Sequence, residues 1–259
     1  MGSVLVTGAA GGLGRCLCHE FAGRGYDMLL VDLDEPRLTS LASGLSCMHG
    51  VKVETVVADL TERNQRRALC LDIEEHRWEL SGLVSSAGMD SEGPLSEIPL
   101  DRLEGILELN VMAATELMRS AIRAHTKGER LFILNIASLA AINPMPYKAA
   151  YSSSKRYLMN LTRAVAWENK GTGITTTAFC PAGIPTNPIT VERIKAQGFW
   201  GRATMLEAGT AAKLAADAAI KGKELVIPGF VNRFVTAASA LSPKSLTLSF
   251  IAKHWKDGK

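Results

Sequence analysis

The 259-residue chain predicts an α/β fold: a single doubly wound parallel sheet of about seven strands with helices on both faces. Three observations carry this. Short apolar runs alternate with longer helical patterns from end to end, as βαβ units require. A glycine-rich turn follows the first apolar run directly. Residues suited to chemistry fall just after one run after another, along the edge where open α/β sheets bind ligands.

The elements follow in order. Residues 4–6 read as a buried strand. Gly8, Gly12 and Gly14 follow, then a helical pattern over 13–23. Strand, glycine turn and helix form the context for dinucleotide binding, in which glycines let the backbone approach a pyrophosphate and the helix N-terminus supplies free N–H groups. A tight turn without a ligand is the plainer reading. The second strand, 28–31, ends at Asp32, placed to hydrogen-bond the ribose hydroxyls of NAD and to repel a 2′-phosphate. An ordinary solvated acid is the alternative there, and Arg15 or Arg37 remains within reach of a phosphate.

Residues 36–42 read as a short helix and 44–50 as loop. A third strand over 51–58 ends at Asp59, which either meets an adenine edge or caps the next helix. Residues 61–78 read as a charged surface helix, and 82–85 as strand four, followed by Ala87 and Gly88. The longest helical pattern, 100–127, buries Asn110 among apolar neighbours, where its amide needs partners. Strand five, 130–136, leads into Ser138. A helix from Tyr151 to about residue 170 and a strand over 173–179 come next. The Pro- and Gly-rich stretch 180–188 is too broken for a helix.

Residues 189–205 read as a cover, and Ile189, Ile194, Phe199, Trp200 and Met205 suggest an apolar or lipid-like substrate. A helix over 206–221 and a short strand over 225–227 close a catalytic and dinucleotide-binding unit spanning 1–229. The tail, 230–259, places Phe230, Phe234, Val235, Ala238 and Leu241 at helical spacing, with Arg233, Lys244 and Lys253 beside them. It is expected to pack on the domain or across a subunit interface. Rest on an anionic membrane surface is the alternative.

Composition agrees with a water-soluble domain: 47% hydrophobic, 21% charged, net charge +3. That charge is too small to argue for nucleic acid. Five cysteines show no C-x-x-C pair, and no secretory leader is expected ahead of the first strand. Reduced thiols and a cytoplasmic location are expected. No cluster has metal-ligand spacing.

The stretch 138–155 carries the chemistry. Tyr151 and Lys155 are four residues apart, so they share a helix face. A phenol, with a pKa near ~10, is a poor base at neutral pH. A neighbouring ammonium favours the phenolate, tuning it for general acid/base work. Ser138 is placed to hold a substrate oxygen.

With these residues in view, the chain resembles the short-chain dehydrogenase/reductase family of Rossmann-fold oxidoreductases. The matching motifs are Thr7-Gly8-x-x-x-Gly12-x-Gly14, Asp59, Ala87-Gly88, Asn110, Ser138, Tyr151-x-x-x-Lys155 and Pro181 through Thr186. The tail is similar to that of a subgroup of uncharacterised bacterial members. The resemblance implies Tyr151 as catalytic acid/base, Lys155 lowering its pKa and holding the nicotinamide ribose, Ser138 orienting the substrate oxygen, and Asn110 holding a water of the proton relay. It implies cofactor contacts from Gly8, Gly12, Leu13, Gly14, Asp32, Asp59, Leu60, Ala87, Gly88, Tyr151, Lys155, Pro181, Ile184 and Thr186. The expected reaction interconverts a secondary alcohol and a ketone with NAD(H), with NADP(H) or a non-catalytic dinucleotide-binding scaffold as alternatives. The expected assembly is a homodimer or homotetramer. Two departures stand out: Ser85-Ser86 replaces the usual Asn-Asn, and Pro181 is followed by Ala182, with Gly183 one place later.

Overall fold

The computed structural model describes residues 2–186, 190–192 and 204–256, with side chains as far as residue 253. The strands are β1 (Ser3–Thr7), β2 (Asp27–Asp32), β3 (Val53–Val57), β4 (Leu80–Ser85), β5 (Leu131–Ile136), β6 (Ile174–Phe179) and β7 (Leu225–Val226). They form one parallel sheet in the order β3-β2-β1-β4-β5-β6-β7. The order reverses between β1 and β4, which opens a crevice at the C-terminal strand ends.

Alternation along the strands divides the core. Val4, Val6, Met28 and Leu30 face one layer with α1 (Gly12–Ala22), α2 (Glu35–His49) and α7 (Ala208–Ile220). Leu5, Leu29, Val31 and Ile133 face the other, against α3 (Arg63–Glu74) and α5 (Ala114–Arg123). The central strands β1, β2, β4 and β5 are thus largely buried on both faces, as a covered parallel sheet demands, while Glu54, Thr55 and Val57 of the edge strand β3 are exposed.

Three expectations about helices need correction. The short helix at 36–42 is in fact α2, which runs through Gly44 to a left-handed cap at Gly50. Leu38, Leu41 and Leu45 are buried on one face. Each contributes about 1.5–3 kcal/mol, more than the ~1 kcal/mol a helical glycine costs. The helix expected over 61–78 as a surface element is α3, and it buries Arg66, Leu69, Cys70 and Ile73. The long pattern 100–127 is interrupted: α4 (Leu100–Leu107) passes into a π-helical segment (Glu108–Ala113) before α5. Such π segments cluster at functional sites, and this one carries Asn110.

The helix of Tyr151 is α6 (Ala149–Glu168). The tail forms α8 (Phe230–Leu241) and α9 (Lys244–Lys256). Most of the apolar stripe of α8 does not pack on the domain: Phe230, Phe234 and Leu241 are exposed, while Val235 borders a cavity. The inward face of α8 is polar. Asn232 donates to Pro228 O and Thr204 O, and Asn143 donates to Ser239 Oγ at 3.0 Å. These hydrogen bonds, not apolar burial, seat the helix.

All five cysteines are free thiols. Among the described residues no helix is long and apolar enough to cross a membrane, and no cluster could hold a metal ion.

Candidate active site

The first turn is built by mutual crowding. Gly8 has φ +64, and a Cβ there would lie 2.8 Å from Ala87. A Cβ on Gly14 would strike Gly8 O, and one on Gly12 would lie 2.5 Å from Thr186. All three positions therefore need glycine for the fold itself. The turn leads into α1 with no acidic residue in its first helical turn, which leaves N–H groups to face an anion.

Asp32 closes the other side of this turn. Its Oδ2 accepts from Ala10 N at 2.9 Å, and its Oδ1 accepts from Leu33 N and Asp34 N. Arg37 pairs with Asp34 at 3.3 Å. Asp59 accepts from Thr61 N and Thr61 Oγ1 at 2.9 and 2.7 Å. The helix beyond begins only at Arg63, with Glu62 at its cap position, so Asp59 shapes the turn ahead of that helix. Leu60 is buried, and its carbonyl accepts from Arg66.

Strand four keeps its tie to the turn despite the Ser85-Ser86 departure. Thr7 Oγ1 accepts from both Ser86 N and Ala87 N at 3.2 Å. At the Ala182 departure the loop is also anchored, because Leu139 N donates to Pro181 O at 2.7 Å and Leu206 N to Gly183 O at 3.1 Å. The chain beyond β6 is thereby tied to the residue that follows Ser138.

Ser138, Tyr151 and Lys155 converge on one cavity of about 490 Å³ at the C-terminal edge of β4, β5 and β6. Leu13, Gly88, Pro181, Ile184 and Thr186 line it too. Lys155 is buried and donates to Ile136 O at 2.9 Å. A Cβ on Gly88 would lie 3.2 Å from Lys155 Nζ and 3.3 Å from Asn110 Oδ1, so glycine admits both groups. Asn110 is spent on backbone and hydroxyl: it accepts from Met89 N, and donates to Met89 O and Ser154 Oγ.

The electrostatics differ from expectation at Tyr151. Burial pushes its phenol up to about 12, while a hydrogen bond with the Ser138 side chain acts the other way. Lys155 Nζ lies 5.9 Å from the ring centroid and is itself drawn down to about 8 by burial. The phenol is thus raised, not lowered, in the free protein.

Gly8, Gly12, Gly14, Asp32, Asp59, Leu60, Ala87 and Asn110 lie outside the cavity wall. Of the cover, Ile189, Ile194, Phe199 and Trp200 fall outside the described residues, and Met205 is 40% exposed. Motif reasoning missed Met89, Asp90, Met145 and Lys148, and it missed Val235 and Ile251 of the tail, all of which line the cavity. No spacing rule marks them.

A family model for short chain dehydrogenases matches residues 3–196. The chain belongs to the short-chain dehydrogenase family. It is an NAD(P)-dependent oxidoreductase of that family. It is 28% identical over 184 residues to a short chain dehydrogenase of Pseudocercospora fijiensis, a match that covers 70% of this chain and 59% of the relative's length. It is 29% identical to 3beta-hydroxysteroid dehydrogenase 2 of Eggerthella lenta, covering 89% of this chain and 90% of that one. Among solved structures, a short-chain dehydrogenase from Sphingobium yanoikuyae in complex with NADPH superposes with a TM-score of 0.76, at 26% identity and 93% coverage of both chains.

Proposed function

We propose that this short-chain dehydrogenase interconverts a bulky, largely apolar secondary alcohol and its ketone, with NAD(H) as the preferred cofactor. The observation that carries this reading is the convergence of Ser138, Tyr151 and Lys155 on one cavity. The glycine turn, Asp32, Gly88, Ile184 and Thr186 would hold the dinucleotide, with Asp59, Leu60 and Ala87 on its adenosine side. When bound, the nicotinamide supplies or accepts the hydride.

Tyr151 manages the proton. Its raised phenol keeps its proton at neutral pH and gives it to the carbonyl oxygen in reduction. In oxidation it takes the proton of the alcohol, a step that gains with rising pH. Ser138 Oγ holds the reacting oxygen. Lys155, anchored on Ile136 O, holds the ribose, and as an ammonium it favours the phenolate that the oxidation step needs. Asn110 fixes the Met89 backbone beside these groups.

The apolar share of the cavity wall and the hydroxysteroid relative support a bulky substrate. Asp32 supports NAD, since its carboxylate stands at the end of β2 and Arg37 is engaged by Asp34. The NADPH complex of the Sphingobium relative favours a second reading, the same chemistry with NADP(H). The exposed apolar stripe of α8 supports a contact between copies of the chain.

The experiment pairs cofactor titration with turnover. NADH is expected to bind more tightly than NADPH, and Tyr151→Phe to lower ketone reduction by about 10²–10⁴-fold while NADH fluorescence still reports binding. Near-normal turnover in that variant would end the mechanism. Tighter NADPH binding would end the role given to Asp32.

A further inference from the structure

The cavity holds a charged pair that the proposed reaction does not use. Lys148 Nζ meets Asp90 Oδ2 in a direct ion pair, with the lysine side chain 8% exposed and the aspartate 28%. Lys148 stands at the cap of α6, three residues before Tyr151, and its Nζ lies 5.4 Å from the Tyr151 ring centroid. Both members line the cavity beside Ser138 and Tyr151.

Burying an ammonium and a carboxylate together rarely gains stability over an apolar pair. The surrounding structure nevertheless holds both partners in place. Arg102 donates to Asp90 O, and Asn110 grips Met89 N and O at 2.8 and 2.9 Å. Gly93 N donates to Tyr147 O at 2.8 Å, which ties the aspartate's loop to the residue preceding Lys148. The same cavity has apolar wall at Met89, Leu139, Met145, Val235 and Ile251, beside polar wall at Ser86, Asn143 and Thr204.

We propose that Asp90 and Lys148 form a specificity-determining site that reads a second hydroxyl on the substrate, apart from the oxygen that reacts. The proposal rests on the alcohol–ketone reading above. The two members carry opposite charges, and a hydroxyl is a group that donates to a carboxylate while accepting from an ammonium. A substrate carboxylate would meet Asp90 as a like charge. A bare methylene would desolvate two charges and return no hydrogen bond. The substrate class is therefore a largely apolar skeleton bearing two oxygens, one at Tyr151 and one at the pair.

The test uses matched bulky cyclic ketones: one unsubstituted, a series with a single hydroxyl at successive ring positions, and a series with a carboxylate at the same positions. The readout is the ratio of kcat/KM between each substituted ketone and the unsubstituted one. It is measured for the wild type, Lys148→Met, Asp90→Asn and the double variant, with NADH fluorescence reporting that each variant still binds cofactor. One hydroxyl isomer is expected to be favoured by about tenfold or more, since sites built for a hydroxyl reject its absence strongly. The ratio is expected to fall toward one in either single variant and to fall little further in the double. Loss of support alone would lower both substrates in proportion and leave the ratio intact. A wild-type ratio near one at every position, a ratio unmoved by the variants, or a preference for the carboxylate series would overturn the proposal. A wild type that binds NADH and turns over no ketone would bring down the reaction reading and this proposal with it; turnover with a flat ratio brings down the proposal alone.

Discussion

Lys155 shows how one buried group shapes both chemistry and stability. Burial draws it down to about 8 from a usual 10.5. Between those values the unfolded chain holds a proton that the folded chain has released, so stability rises with pH across that window. Below about 8 both states are protonated and the cost is constant. The Tm of the free protein relative to Lys155→Met is expected to rise from pH 8 to 10, while the thiols of Cys18, Cys70 and Cys180, pushed up by burial, act the opposite way in both chains. Tyr151 acts oppositely above pH 10, because burial keeps its proton on to about 12. The sequence placed Tyr151 and Lys155 on one helix face correctly. It could not give the sign of the phenol shift, which depends on burial and on the Ile136 carbonyl that takes up the ammonium.

At the scale of elements, Arg66 joins parts that the sequence kept separate. It reaches from α3 to Glu108 at 2.7 Å and Glu116 at 3.0 Å, and it donates to Leu60 O at 2.9 Å. The guanidinium thereby ties the loop after β3 to the start of the π segment that carries Asn110 and to α5 beyond it. Arg66→Met is expected to cost about 3 kcal/mol, the low end for breaking a buried pair, because the two glutamates keep 42% and 23% exposure. A fall in urea midpoint at constant m-value would measure it, and an unchanged midpoint would refute it. Period and turn chemistry sufficed to place strands and most helices, since those signals are local. The extension of α2 through Gly44 and the π segment were not legible, because packing against neighbours decided both.

Across the whole molecule, the edge placement of Gly8, Asp32, Asp59, Gly88, Ser138 and Pro181 was readable from the alternation of elements alone, and one parallel sheet brings them to one side. The tail was not readable in the same way. Its helical spacing was visible, yet which face turned inward depended on Asn232 and Ser239 finding partners. Because Val235 and Ile251 line the cavity, Val235→Trp is expected to lower kcat/KM for bulky ketones by about tenfold and to spare small ones and NADH affinity. Equal effects on both ketone sizes would show that the tail does not bound the substrate.

The strand order has a further consequence, for the nascent chain. β1 is the first strand made, and it lies between β2, made next, and β4, made only after two more helices have emerged. Until β4 arrives, one edge of β1 offers unpaired backbone to any other strand. The cavity finishes later still, with Ile251. Competence therefore waits for the tail, and a chain stopped short of it would carry most of the sheet with its pocket unwalled.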